Sequence, residues 1–197
     1  MPDKPLQLAV ILGSVREGRF GPTVAHWFAD RARRHGDLNV DLIDLADHPL
    51  PLVLPGFGST PPAQAARTLA SLTPRLAAAD AFVVVTPEYN HSFPAPLKNL
   101  IDWHNHQWHA KPVAFVSYGG VSGGLRAVEH LRPVFAELHA VTIRDTVSFH
   151  NAHGHFGVDG TPVHAEECDN AATILLDRLS WWARALREAR HIDPYAA

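Results

Sequence analysis

Five short strand-like segments recur along the chain, each followed by a stretch long enough to hold a helix: the apolar runs Leu6 to Leu12, Ala81 to Val85 and Val113 to Val116, the alternating Leu38 to Leu45 around Val40, Leu42 and Ile43, and Val141 to Val147. Runs of this length, ended by Gly, Pro, Thr or Ser, read as strands, and continuous apolar ones as strands buried on both faces. The segments between them carry helical spacing. Ala25, Phe28, Ala29 and Ala32 follow Pro22, which suits a first helical turn, and Arg31, Arg33 and Arg34 lie on the way out. His48 to Pro62 is proline- and glycine-rich and reads as a long loop. Ala63 to Ala79 reads as a helix kinked or broken at Pro74. Leu97, Leu100, Ile101, His104 and Trp108 fall on one face of a third helix, and Gly124 to His139 forms a fourth, kinked by Pro133. The last helix starts at about Glu166, with a stripe of Cys168, Ala171, Ala172, Leu175, Leu179, Trp182 and Leu186. Strand and helix alternating five times demand long right-handed crossovers, hence an α/β, doubly wound, five-stranded parallel sheet; five strands suggest the order 2-1-3-4-5. A ligand then sits beyond the carboxyl ends of the strands where the order reverses, so the loops after strands one, three and four are the ones to inspect.

Composition narrows the partners. The chain has 197 residues, 46% of them hydrophobic, which suits a single domain over 1–197. A net charge of −3 implies no field for nucleic acid or an anionic membrane, so the expected partners are small molecules. Cys168 is the single cysteine and cannot form an internal disulfide. The apolar run before Gly13 is too short for a secretory signal, and no run reaches membrane-spanning length, so the expected location is cytoplasmic.

The first loop, Gly13 to Pro22, suits a phosphate monoester: backbone N–H groups at a helix start, the Ser14 hydroxyl, and Arg16 or Arg19 for forked hydrogen bonds. It lacks the Gly-Lys-Ser/Thr of a Walker loop and the Gly-x-Gly of a dinucleotide fingerprint, and an ordinary turn with solvated arginines is the alternative. The second loop, Thr86 to Pro96, carries three prolines that hold its backbone against a planar ring with Tyr89 alongside; a rigid connector is the alternative. The third, Ser117 to Gly124, holds four glycines that admit a flat ligand closely, or merely make a tight turn.

Together GSVREGRFGP, PEYNHSFPAPLKN and SYGGVSGG resemble the three signatures of the NADPH-dependent FMN reductase family within the flavodoxin-like superfamily, over roughly Leu6 to Val147. The resemblance implies a flavodoxin-like fold and an enzyme that passes hydride from nicotinamide C4 of NADPH or NADH to flavin N5 and on to a small electron acceptor such as a quinone, an azo compound or free flavin. It places the FMN phosphate at Ser14, Arg16 and Arg19 with the nearby backbone of Phe20 and Gly21. It sets the isoalloxazine ring against Pro87, Glu88, Tyr89 and Asn90 and against Ser117, Tyr118, Gly119 and Gly120. No catalytic acid or base is required. It also implies a homodimer or homotetramer, in keeping with Trp103, an aromatic left over once one helical face packs on the sheet. His91 departs from the family pattern, in which glycine is common.

Three rival readings exist. His104, His106 and His109, with His150, His153 and His155, suggest a metal site, but no cysteine or acid joins them and no metal is expected. Asp44 stands where a dinucleotide-binding Rossmann domain carries its ribose-binding acid, but the glycine pattern is missing. A one-electron carrier of the flavodoxin type is the non-enzyme alternative. The second loop, starting with proline and lacking glycine from Pro87 to Asn90, resists the peptide flip such a carrier uses, while amides of Gly119 and Gly120 at the flavin N1 and C2 carbonyl edge favour two-electron reduction.

Overall fold

The computed structural model describes residues 4–36, 38–56 and 58–196. The ends of the 1–197 span and one position of the His48–Pro62 loop therefore lie outside the described residues. Strand β1 (Leu6–Leu12) leads to α1 (Gly21–Arg34), β2 (Leu38–Asp44), α2 (Ala63–Ala78), β3 (Ala81–Pro87), α3 (Ala95–Asp102), β4 (Pro112–Tyr118), α4 (Leu125–Glu137), β5 (Val141–Phe149) and α5 (Ala165–Ile192). A short 3-10 turn, Ala152–Gly154, follows β5. The five strands form one parallel sheet in the order β2-β1-β3-β4-β5, as the alternation requires.

Every residue of β3 and β4 is buried, the mark of central strands covered on both faces. Side chains alternate along each strand and feed two cores. Leu8, Val10 and Leu12 meet Phe28 of α1 and Leu175 of α5 on one side. Ala9 and Ile11 meet Leu72 of α2, Leu97 of α3 and Phe135 of α4 on the other. Pro74 does not break α2, because Leu72 and Leu76 on either side of it are both fully buried and hold the turn.

Three expectations fail. The third helix stops at Asp102 instead of running to Trp108. The His104 ring lies against the Leu100 carbonyl at Nδ1, 2.9 Å away, and the chain turns there. Trp108 still reaches the core, by a turn in which its indole donates to the His104 carbonyl at 3.1 Å. Trp103 is half-buried, and its indole N–H donates to the Pro51 carbonyl at 2.9 Å, so the long loop from within the chain covers much of it. On α5, Trp182 leaves the apolar stripe and is 37% exposed, since Leu176 and Ala183 take the inward positions.

Candidate functional site

β1 ends beside β3, where the Gly13 amide still donates to the Val85 carbonyl at 2.9 Å. Beyond that point the amide N–H groups of Ser14 to Gly18, of Phe20 and of Gly21 have no acceptor among the described residues. This row of free donors at the start of α1 is a nest for an anion. Arg16 and Arg19, expected as equals, have different surroundings. Arg16 is exposed and unpaired among the described residues. Arg19 donates to both carboxylate oxygens of Asp44 at 2.6 Å and to the Ser14 carbonyl, binding the loop to the end of β2. Burial alone would raise the Asp44 carboxyl, but the hydrogen bonds from Arg19 and the Ala46 amide hold it below its ordinary value. Asp44, considered as a ribose-binding acid, is thus engaged by Arg19.

Ser14 is fully buried, and its hydroxyl accepts a hydrogen bond from the Tyr118 phenol at 3.1 Å. Burial pushes that phenol up to about 12, so it remains a protonated donor. Gly21 makes the close approach possible: a Cβ there would lie 2.5 Å from both Ser14 Oγ and Tyr118 Oη.

The second loop is a tight turn in which Tyr89 and Ser92 exchange backbone hydrogen bonds of 2.8 and 3.1 Å. Asn90 and His91 at its tip have φ of 49° and 75°, in the left-handed region that favours glycine. The Glu88 side chain turns to the start of α4, accepting from the Arg126 amide at 3.2 Å and facing its guanidinium at 3.3 Å. In the third loop the Ser117 hydroxyl donates to the Gly123 carbonyl at 2.8 Å and closes the turn. The Gly119 amide, expected to face the ring edge, donates instead to the Phe149 carbonyl at 3.1 Å. The Gly120 amide keeps no acceptor among the described residues. Phe149, the last residue of β5, is still paired with Tyr118 of β4, and its carbonyl uses up the Gly119 donor.

The three loops meet around a cavity of about 680 Å³, large enough for a nucleotide-sized ligand. Arg16, Arg19 and Phe20, then Pro87, Glu88 and Tyr89, then Tyr118, Gly119 and Gly120 line it, while Ser14, Gly21, Asn90 and Ser117 are not among its lining residues. A fourth wall, Asn151 to Gly154, escaped the sequence reading. Its one signal in the sequence is His153, in a glycine-containing stretch after the last strand whose histidines read there as solvated or hydrogen-bonded rather than as metal ligands. The three histidines there go to different surroundings: His150 meets the Val121 carbonyl, His153 packs on Phe20, and His155 lies by Phe149 and His164. An anion nest, an unpaired arginine and a slot between a proline-led turn and a glycine loop fit a flavin mononucleotide, phosphate at one end and ring at the other.

Comparison with known proteins agrees. The profile of the NADPH-dependent FMN reductase family matches residues 6–154. An NAD(P)H-dependent FMN reductase of Schizosaccharomyces pombe is 39% identical over 132 residues, 63% of this chain and 65% of that protein. A 2-hydroxy-1,4-benzoquinone reductase of a Burkholderia species is 31% identical over 189 residues, 92% of this chain and 98% of that protein. Among solved structures, the flavoenzyme NAD(P)H:(acceptor) oxidoreductase FerB from Paracoccus denitrificans shares the fold with a TM-score of 0.72 at 23% identity, covering 91% of this chain and 98% of its own.

Proposed function

The chain belongs to the NADPH-dependent FMN reductase family and is an NAD(P)H-dependent, FMN-using oxidoreductase, and on that premise we propose that its cofactor occupies the cavity at the carboxyl ends of β1, β3 and β4. FMN supplies the redox chemistry when bound, taking hydride from NAD(P)H and passing two electrons on. The protein's part is to hold and orient. The observation that carries the assignment is the set of amides without acceptors among the described residues, Ser14 to Gly18, Phe20 and Gly21, beside the unpaired Arg16. These donors would bind the phosphate, Arg16 would add a charge-assisted contact, and Arg19 would keep the loop in shape through Asp44. Pro87 to Tyr89 and Tyr118 to Gly120 would flank the ring, with the free Gly120 amide as a donor to its edge.

The second loop favours two-electron over one-electron work. A flip of the peptide between Asn90 and His91 at its tip would demand of Asn90 the backbone conformation of a II′ turn's first central position, which glycine takes readily and asparagine does not, so the backbone rearrangement a carrier needs is costly here. The acceptor is a small molecule of the quinone class, in line with the Burkholderia relative's name, with azo compounds and free flavin as further candidates. We assign the whole chain, 1–197, to one domain, working in the cytoplasm as a homodimer or homotetramer.

The test is to purify the protein, record its visible spectrum, and follow NADPH and NADH oxidation with quinones, azo dyes, metal oxyanions and free flavin. A flavin spectrum and acceptor-dependent oxidation are expected. A colourless protein that takes up no added FMN would overturn the reading. Anaerobic dithionite titration separates the carrier alternative: direct bleaching supports the reductase, whereas abundant one-electron-reduced flavin supports the carrier.

A further inference from the structure

We propose that His153 is a binding residue for the phosphate end of the cofactor, and that its protonation sets how tightly FMN is held. The inference rests on the assignment of FMN to this cavity and goes beyond the three loops that define the family signatures.

The argument starts from charge. An FMN phosphate brings −1.5 to −2 near neutral pH, with a second pKa of about 6 by analogy with other phosphate monoesters. From the first loop, Arg16, Glu17 and Arg19 face the cavity. Arg19 is committed to Asp44, and Arg16, which has no ion-pair partner among the described residues, is matched only in formal charge by Glu17 of the same loop. From the second loop come Glu88, whose charge is met by Arg126, and Tyr89. From β4 comes Tyr118, a protonated phenol bonded to Ser14. The fixed charges facing the cavity therefore cancel. Of the fourth wall, Asn151, Ala152 and Gly154 carry no charge. His153 is what remains among the described lining residues to make the cavity positive.

Geometry places it well. The His153 ring lies 4.6 Å from the ring of Phe20, and Phe20 is the residue that opens α1, its own amide and that of Gly21 being free donors of the nest. The segment carrying it is fastened by the Asn151 and Ala152 amides, which donate to the Gly120 and Gly119 carbonyls at 2.8 and 3.0 Å. The imidazole is solvent-exposed and open to a ligand in the cavity. A phosphate beside it favours the imidazolium, and by linkage the imidazolium favours the phosphate. A one-unit rise in the histidine pKa on binding corresponds to a tenfold gain in affinity between the neutral and charged forms.

The test titrates apoprotein with FMN and with riboflavin at pH 6 and pH 8, for the wild type and for His153→Phe, which keeps a ring on Phe20 and removes the charge. Circular dichroism verifies the fold of each, and comparison with the variant cancels the titration of the phosphate itself. The expected ratio of FMN affinities, wild type over variant, is near one at pH 8 and roughly five- to tenfold at pH 6, with no such change for riboflavin. The same ratio at both pH values, or an equal effect on riboflavin, overturns the proposal while leaving the FMN assignment standing. Failure of the wild type to bind either flavin overturns both.

Discussion

Replacing Asp44 with alanine distinguishes two roles for Arg19, because they give opposite signs. In the structure the guanidinium meets both carboxylate oxygens at 2.6 Å, with the two side chains 16% and 23% exposed. A hydrogen bond to a charged group is worth about 1.5–3 kcal/mol net, and removing one partner of a buried ion pair costs about 3–5 kcal/mol. Partial exposure puts Arg19→Ala at the low end, about 2–3 kcal/mol, since Asp44 keeps the Ala46 amide at 3.0 Å. For a chain of this size that lowers the melting temperature by about 4–10 °C. If Arg19 braces the loop, Asp44→Ala destabilises the apoprotein too and weakens FMN binding, and the double variant is little worse than either single one. If Arg19 instead grips phosphate, freeing it from Asp44 tightens FMN. Thermal unfolding of the apoproteins and FMN titration by fluorescence measure both. An Asp44→Ala protein that melts like the wild type and binds FMN more tightly would refute the brace. The pair also has a pH signature: the Asp44 carboxyl is held below its ordinary value in the folded state, so its contribution is complete above about pH 4 and is lost as pH falls through the folded value.

Arg16→Ala should weaken FMN by about 1.5–3 kcal/mol, tenfold or more, with the melting temperature of the apoprotein unchanged, because Arg16 is exposed and unpaired among the described residues; an unaltered dissociation constant would remove it from the site. His91→Gly should stabilise the fold by about 1 kcal/mol, since His91 has φ of 75°, a left-handed conformation that costs a side-chain-bearing residue about 1–2 kcal/mol; a lower melting temperature contradicts this. Lys111 is buried, with its ammonium on the Leu76 and Ala77 carbonyls, and burial pulls its pKa down to about 8. Between pH 8 and 10.5 the unfolded chain binds the extra proton, so stability rises with pH by up to about 3 kcal/mol, a gain that Lys111→Met should abolish in chemical denaturation.

Local pattern carried much of the fold. Continuous apolar runs marked the central strands β3 and β4, which are covered on both faces, while the edge strands β2 and β5, only partly buried, showed as mixed segments, and the order followed from crossover handedness. It failed where a local signal competed with packing. Trp108 matched the helical period of Leu97 and Ile101, yet reaches the core through a turn made by the His104 ring and carbonyl. Trp103 looked unpartnered because its acceptor, the Pro51 carbonyl, lies in a loop with no periodicity.

The same division runs through the site. Sequence by itself determined that three loops converge at the carboxyl end of the sheet and that the first offers amides and cations to an anion, because strand order and residue chemistry are both written locally. Only the tertiary structure decided which groups stay free. Arg19 is taken by Asp44, twenty-five positions away, Ser14 by Tyr118, and the Gly119 amide by Phe149, while His153 arrives from beyond β5 to form a wall. A hydrogen-bonding group serves a ligand only after the rest of the chain has claimed what lies within about 3 Å of it, and such claims come from residues that are neighbours in space alone.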